Sequence, residues 1–122
     1  LTFARKHQKP VFIAEAAPIL FDSTQFLDTL LTNLEQAKQA WEEWFVPFIK
    51  TLNDNQDIIK AFSYINVNWT LQPMWINNDL FKHVDSRIQE SEFIKKKWKE
   101  EMAHPRYLKS SPDLWSNLQK KH

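Results

Sequence analysis

Hydrophobic positions along this chain fall into two kinds of run. Val11-Phe12-Ile13-Ala14 is continuously apolar, follows Lys9-Pro10 and closes on the carboxylate of Glu15. It is too short for a helix, and an unbroken apolar run predicts a strand buried on both faces, ended by Ala16-Ala17-Pro18. A second strand is expected over Ala61 to Val67, inside the run from Ile59 to Trp69. Between them, Leu34, Ala37, Trp41, Trp44, Phe45, Phe48, Ile49 and Leu52 keep helical order, so Asn33 to Leu52 reads as an amphipathic helix. Pro47 inside it implies a kink or a restart. Strand, helix, strand is the unit of a parallel α/β sheet, whose ligands bind beyond the carboxyl ends of the strands. Glu15 and Trp69 then face one site.

The remaining elements are shorter. Leu1 to Gln8 reads as the tail of a helix, with Arg5, Lys6 and His7 where a helix C-terminus favours positive charge and Pro10 as the break. Asp22-Ser23-Thr24 is a cap for a short helix carrying Phe26, Leu27, Leu30 and Leu31. Asn53-Asp54-Asn55-Gln56 is a turn built without glycine, and Asp57 opens the next element. Residues 68–85 show no sustained period, although Trp75, Leu80 and Phe81 must pack somewhere; a long loop at the carboxyl end of a strand is where binding walls are built. Ser91 starts a last long helix, with Phe93, Ile94, Lys97 and Trp98 along one side, that runs to Ala103 before Pro105. A short helix with Leu114, Trp115 and Leu118 follows Pro112.

Composition narrows the classes. At 122 residues the chain is one domain at most. Sixteen basic against fifteen acidic residues leave a formal charge of +1, which argues against nucleic acid or an anionic membrane surface as partner. The absence of cysteine excludes disulfides and thiolate metal sites. No apolar stretch approaches the ~20 residues that cross a bilayer, and Leu1 to His7 lacks the order of a signal peptide. Glycine is absent, where average usage predicts about eight or nine. Together with the missing initiator Met, this favours a piece of a longer chain. Six Trp, nine Phe and two Tyr suit either a carbohydrate site or a core of large rings.

Candidate chemistry centres on the two strand ends. A carboxylate closing an apolar strand costs free energy unless it faces a polar cleft or meets a partner. Spacing alone leaves two readings of Glu15 open: a loop cap or surface ion pair, or a catalytic nucleophile of the kind retaining glycosidases use opposite a second carboxyl about 5 Å away. Trp69 is either a core ring or a plane on which the C–H face of a sugar packs. Asn66 and Asn68 alternate with Val67 and so share one side of a strand. Asn68-Trp69-Thr70 has the form of a glycosylation sequon but is discounted in such a pocket. Asp85-Ser86-Arg87 offers an ion pair that staples the loop or merely decorates the surface. His7, His83, His104 and His122 have no ligand spacing, so no metal is expected, and no cofactor motif is present.

These residues resemble a family. Lys9 to Glu15, Trp41 to Phe48, Ala61 to Trp69 with Gln72-Pro73-Met74-Trp75, Asp85 to Gln89 and Trp98 to Leu108 are together similar to the C-terminal end of a clan A glycoside hydrolase, in particular the family 26 β-mannanase-like proteins. The resemblance implies an α/β fold that is the C-terminal portion, about strand 7 to helix 8, of a (β/α)8 TIM barrel, over residues 1–108 with a tail at 109–122. It implies that Glu15 is the nucleophile and that Trp69, with Asn66, Asn68 and Trp75, binds sugar. The family's acid/base Glu lies on the fourth strand, outside this sequence, and the glycines that relatives carry after Ala16-Ala17-Pro18 and before Asp85 are missing. Further implications are a mannan-like polysaccharide or oligosaccharide as substrate, the rest of the barrel or a partner chain as structural partner, no cofactor, and a secreted or extracellular location whose signal segment is not in this chain. The other reading is a non-catalytic remnant that serves as a carbohydrate-binding or structural interaction module. A free-standing small α/β protein with all its rings in the core is a third.

Overall fold

A computed structural model describes residues 1–18 and 34–119. The expected cap Asp22-Ser23-Thr24 and the apolar Phe26, Leu27, Leu30 and Leu31 lie outside the described residues, as do Asn33 and His122.

The chain opens with helix α1 (Thr2–Lys6). Its end is a Schellman turn: the Gln8 N–H bonds the Arg5 carbonyl at 3.2 Å and the Lys9 N–H bonds the Ala4 carbonyl at 2.9 Å. Gln8 takes the left-handed backbone position, at φ 51°, that glycine usually fills. Strand β1 (Val11–Ala16) follows after Pro10. From residue 34 onward come helix α2 (Leu34–Ala40), a π-helical turn (Trp41–Phe45), helix α3 (Val46–Asp54) and strand β2 (Ile59–Tyr64). The restart expected at Pro47 is this π turn, in which the Val46 N–H reaches back five residues to the Trp41 carbonyl and Pro47 sits in the first turn of α3.

β1 and β2 form a parallel pair that runs from Val11 opposite Ile59 to Ala16 opposite Tyr64, with the register shifting between Val11 and Phe12 and again between Ile13 and Ala16. Both carboxyl ends therefore lie at one end of the sheet. Val11, Ile13 and Phe62 pack with Leu52, Ile58 and Ile59 beneath α3. A second cluster joins Ala37, Ala40, Trp41 and Phe45 to Val84 and to Ile94 of helix α4 (Glu92–Met102), whose first turn is capped by Ser91 Oγ accepting from the Ile94 N–H at 3.3 Å. Helix α5 (Leu114–Gln119) closes the described chain and leaves Trp115 exposed. No helix of the described residues is long and apolar enough to cross a membrane.

Three expectations are corrected. β1 is not buried on both faces: Phe12 is 61% exposed and Ala14 and Glu15 are exposed, because only the Val11 and Ile13 side packs on the Leu52 cluster. β2 starts at Ile59 and ends at Tyr64, short of Val67, because the residues around Ser86 take over the hydrogen bonding of the segment that follows. Asp57 opens no element; its carboxylate binds Arg5, which also donates to Asn55 Oδ1 at 2.9 Å and so ties α1 to the turn before β2.

Candidate functional site

Glu15 is the penultimate residue of β1 and is exposed, so the desolvation cost that an apolar strand suggests for a carboxylate does not arise. Its neighbour Ala16 accepts a hydrogen bond at 2.9 Å from the Ile65 N–H. The segment Ile65 to Trp69 therefore leaves β2 beside the end of β1 that carries Glu15. The parallel pairing brings together the two strand ends that the sequence singles out.

The loop after β2 is cross-braced. Asn68 Oδ1 accepts from the Thr70 N–H at 3.0 Å and from Thr70 Oγ at 2.6 Å, capping a 3-10 turn over Trp69–Leu71. Asn66 Nδ2 donates to Gln89 Oε1 at 3.0 Å, while its Oδ1 accepts from the Ile88 N–H at 2.7 Å. The Asn66 amide thus holds the loop to a second 3-10 turn, Ile88–Glu90, while the Asn68 amide is engaged within its own turn. Trp69 is fixed by its backbone N–H to the Val84 carbonyl at 3.0 Å and by its indole Nε1–H to Ser86 Oγ at 3.1 Å. Its ring centroid lies 5.1 Å from Phe81 and 6.3 Å from Trp75, and Trp75 and Phe81 lie 4.7 Å apart. Trp69 and Trp75 thus meet in one aromatic cluster with Phe81, while Leu80 stays exposed.

The Asp85-Ser86-Arg87 ion pair is present and is more than surface decoration. Asp85 is only 2% exposed, and both of its carboxylate oxygens accept from Arg87, at 2.9 and 3.1 Å from Nε and 2.6 Å from Nη2. Arg87 also reaches Glu90 at 3.1 Å. Asn68 and Asp85 form an isolated antiparallel bridge.

Ser86 is the residue that sequence reasoning missed. It is fully buried; its hydroxyl lies 2.9 Å from the carbonyls of Ile65 and Val67 while accepting the Trp69 indole. Its N–H bonds the Val67 carbonyl at 3.0 Å, and its own carbonyl accepts the Tyr64 hydroxyl at 2.7 Å. Burial, with the Asp85 charge adding to it, pushes the Tyr64 hydroxyl well above the usual tyrosine range. The charged neighbours of Ser86 carried the only signal in the sequence, and they pointed to an ion pair.

A separate cluster closes the end of α4, where Glu101 binds Arg106 and accepts the Tyr107 hydroxyl at 2.9 Å. A shallow groove of about 490 Å³ beside it is lined by Trp41, Lys97, Glu100, Glu101, Ala103 and His104, none of them a predicted site residue. Among the described residues no group of three or more His, Cys, Asp or Glu is placed to hold a metal ion.

An exposed carboxylate at the end of β1 and a fixed indole in the loop after β2 lie at one end of the sheet, while the Asn66 and Asn68 amides are engaged within the loop. They do not supply the second carboxyl that retaining hydrolysis needs, since Asp85 is held by Arg87. No family model matches the chain. It is 40% identical over 125 aligned positions to β-1,3-xylanase TXYA of a Vibrio species, covering 95% of this chain and 27% of that protein. It is 37% identical over 125 positions to a β-1,3-xylanase of an Alcaligenes species, covering 95% of this chain and 26% of that one. The chain therefore spans about a quarter of the length of the curated relatives it matches. These relatives are glycoside hydrolases of a β-linked polysaccharide, which supports the glycoside hydrolase resemblance; their names specify xylan rather than mannan.

Proposed function

We propose that this chain is the C-terminal segment of a retaining glycoside hydrolase that cleaves β-1,3-linked xylan, with Glu15 as nucleophile. The observation that carries this reading is the similarity to two β-1,3-xylanases across 95% of the chain. The parallel β1–β2 pair, with Glu15 at one strand end and Trp69 just past the other, suits a late portion of a (β/α)8 barrel, about strand 7 to helix 8. On this reading residues 1–108 belong to the barrel and 109–122 form a tail.

In the reaction, a Glu15 oxygen attacks the anomeric carbon as the glycosidic C–O bond breaks, and the leaving oxygen takes a proton from an acid carboxyl on an earlier strand. Water then attacks the glycosyl–Glu15 ester, gives its proton back to that second carboxylate and releases Glu15. Trp69 and Trp75 supply the apolar floor for the sugar, while Asn66 and Asn68 shape the loop that carries them. The product would be a shorter xylan chain, and an enzyme working on such a polymer would act outside the cell.

The test is turnover of β-1,3-xylan and of β-mannan by the full-length protein and by its Glu15→Gln variant. The expected result is hydrolysis of β-1,3-xylan in preference to mannan and a loss of several orders of magnitude in kcat for Glu15→Gln, with folding unchanged. Near-normal turnover by the variant would overturn the role of Glu15. An inactive parent that still binds xylan would instead identify a non-catalytic carbohydrate-binding module.

A further inference from the structure

Ser86 is a buried polar side chain whose every described bond leads to the segment between β2 and Trp69. Its hydroxyl lies between the Ile65 and Val67 carbonyls, each at 2.9 Å, and receives the Trp69 indole N–H at 3.1 Å. Its backbone N–H bonds Val67 and its carbonyl is held by Tyr64. On either side, Asp85 bridges Asn68 and clasps Arg87. A hydroxyl is the smallest group that can accept from an indole and donate to a main-chain carbonyl at once. An apolar residue of similar size would leave the Trp69 indole N–H without this acceptor.

Resting on the reading of Trp69 as the sugar floor, we propose that Ser86 is the positioning residue for that ring: it sets the indole plane relative to Glu15 and thereby governs affinity for the xylan unit. Ser86 touches no substrate. It acts through Trp69, so its loss should appear in KM far more than in kcat.

Two readouts on the full-length protein test this. The first is hydrogen exchange of the Trp69 indole N–H by NMR, which needs no substrate. The second is the split of kcat and KM on β-1,3-xylooligosaccharides. Ser86→Ala should make the Trp69 indole N–H exchange freely while the other indoles exchange as in the parent, and should raise KM about tenfold, the scale of one lost hydrogen bond. Ser86→Cys, nearly the same size but a weak acceptor, should shift both readouts in the same direction; it serves if Ser86→Ala does not fold. An unchanged Trp69 exchange rate, or faster exchange with an unchanged KM, overturns the proposal and leaves Ser86 a purely structural residue. A parent protein with no action on β-1,3-xylan overturns the underlying reading as well, and differs visibly from either result because it is seen before any variant is made.

Discussion

Both tyrosines of the chain are tied down through their hydroxyls. Tyr64 donates to the Ser86 carbonyl from a largely buried position. Tyr107 donates to Glu101 under the Arg106 guanidinium, 4.6 Å above its ring, and burial, then the Glu101 hydrogen bond and charge, push it up to about 12. Both shifts are upward, so the unfolded chain loses these protons first, near pH 10. The stability they contribute is complete below about pH 10 and is lost as pH rises through the folded-state values. Tyrosinate absorbance should therefore show almost no ionisation near pH 10 in the folded protein and a titration centred there in denaturant. A native titration centred near 10 would contradict the hydrogen bonding described for Tyr64 and Tyr107. At this scale the place of Glu15 near the carboxyl end of β1 was legible, because a carboxylate ending an apolar run stands out. Ser86 was not, since a serine's worth depends on carbonyls 19 and 21 residues away that no local pattern reveals.

Among the elements, the helix between the strands was visible in its spacing, and Pro47 correctly announced an interruption. The form of that interruption was hidden, because five residues of π geometry displace the apolar stripe too little to disturb a 3.6-residue period. What holds the turn in place is packing. Phe45 is fully buried and meets Trp41, Trp44, Tyr64 and Trp98 at 5.2, 4.9, 5.9 and 5.8 Å. Phe45→Ala should cost about 4 kcal/mol by urea unfolding, a large part of a typical domain's stability. Pro47→Ala, at an exposed position in the first turn of α3, should change it by less than about 1 kcal/mol. Equal effects would mean that the proline, not the aromatic cluster, dictates the π turn. The end of β2 was misjudged for a related reason: its apolar run continues to Val67, but the carbonyls of Ile65 and Val67 bond Ser86, far along the chain. In β1 the apolar run was read as double burial, whereas Phe12 lies on the side that the described chain leaves open.

At the scale of the molecule, the two parallel strands of the described residues, with Phe3 and Phe12 exposed, leave a sheet face open where parallel strands of α/β proteins are covered on both faces. Under the proposal of a barrel segment, the rest of the barrel would cover that face. The central claim is that Glu15 is the nucleophile of that barrel. The most direct measurement is covalent trapping: the full-length protein is treated with a 2-deoxy-2-fluoro-β-xylobiosyl fluoride carrying a β-1,3 linkage, then digested and analysed by peptide mass spectrometry. The fluorine slows release of the glycosyl ester more than the departure of fluoride, so the intermediate accumulates. The predicted result is a single labelled peptide with the sugar on Glu15. A label on another carboxylate, or turnover without any trapped ester, would contradict it.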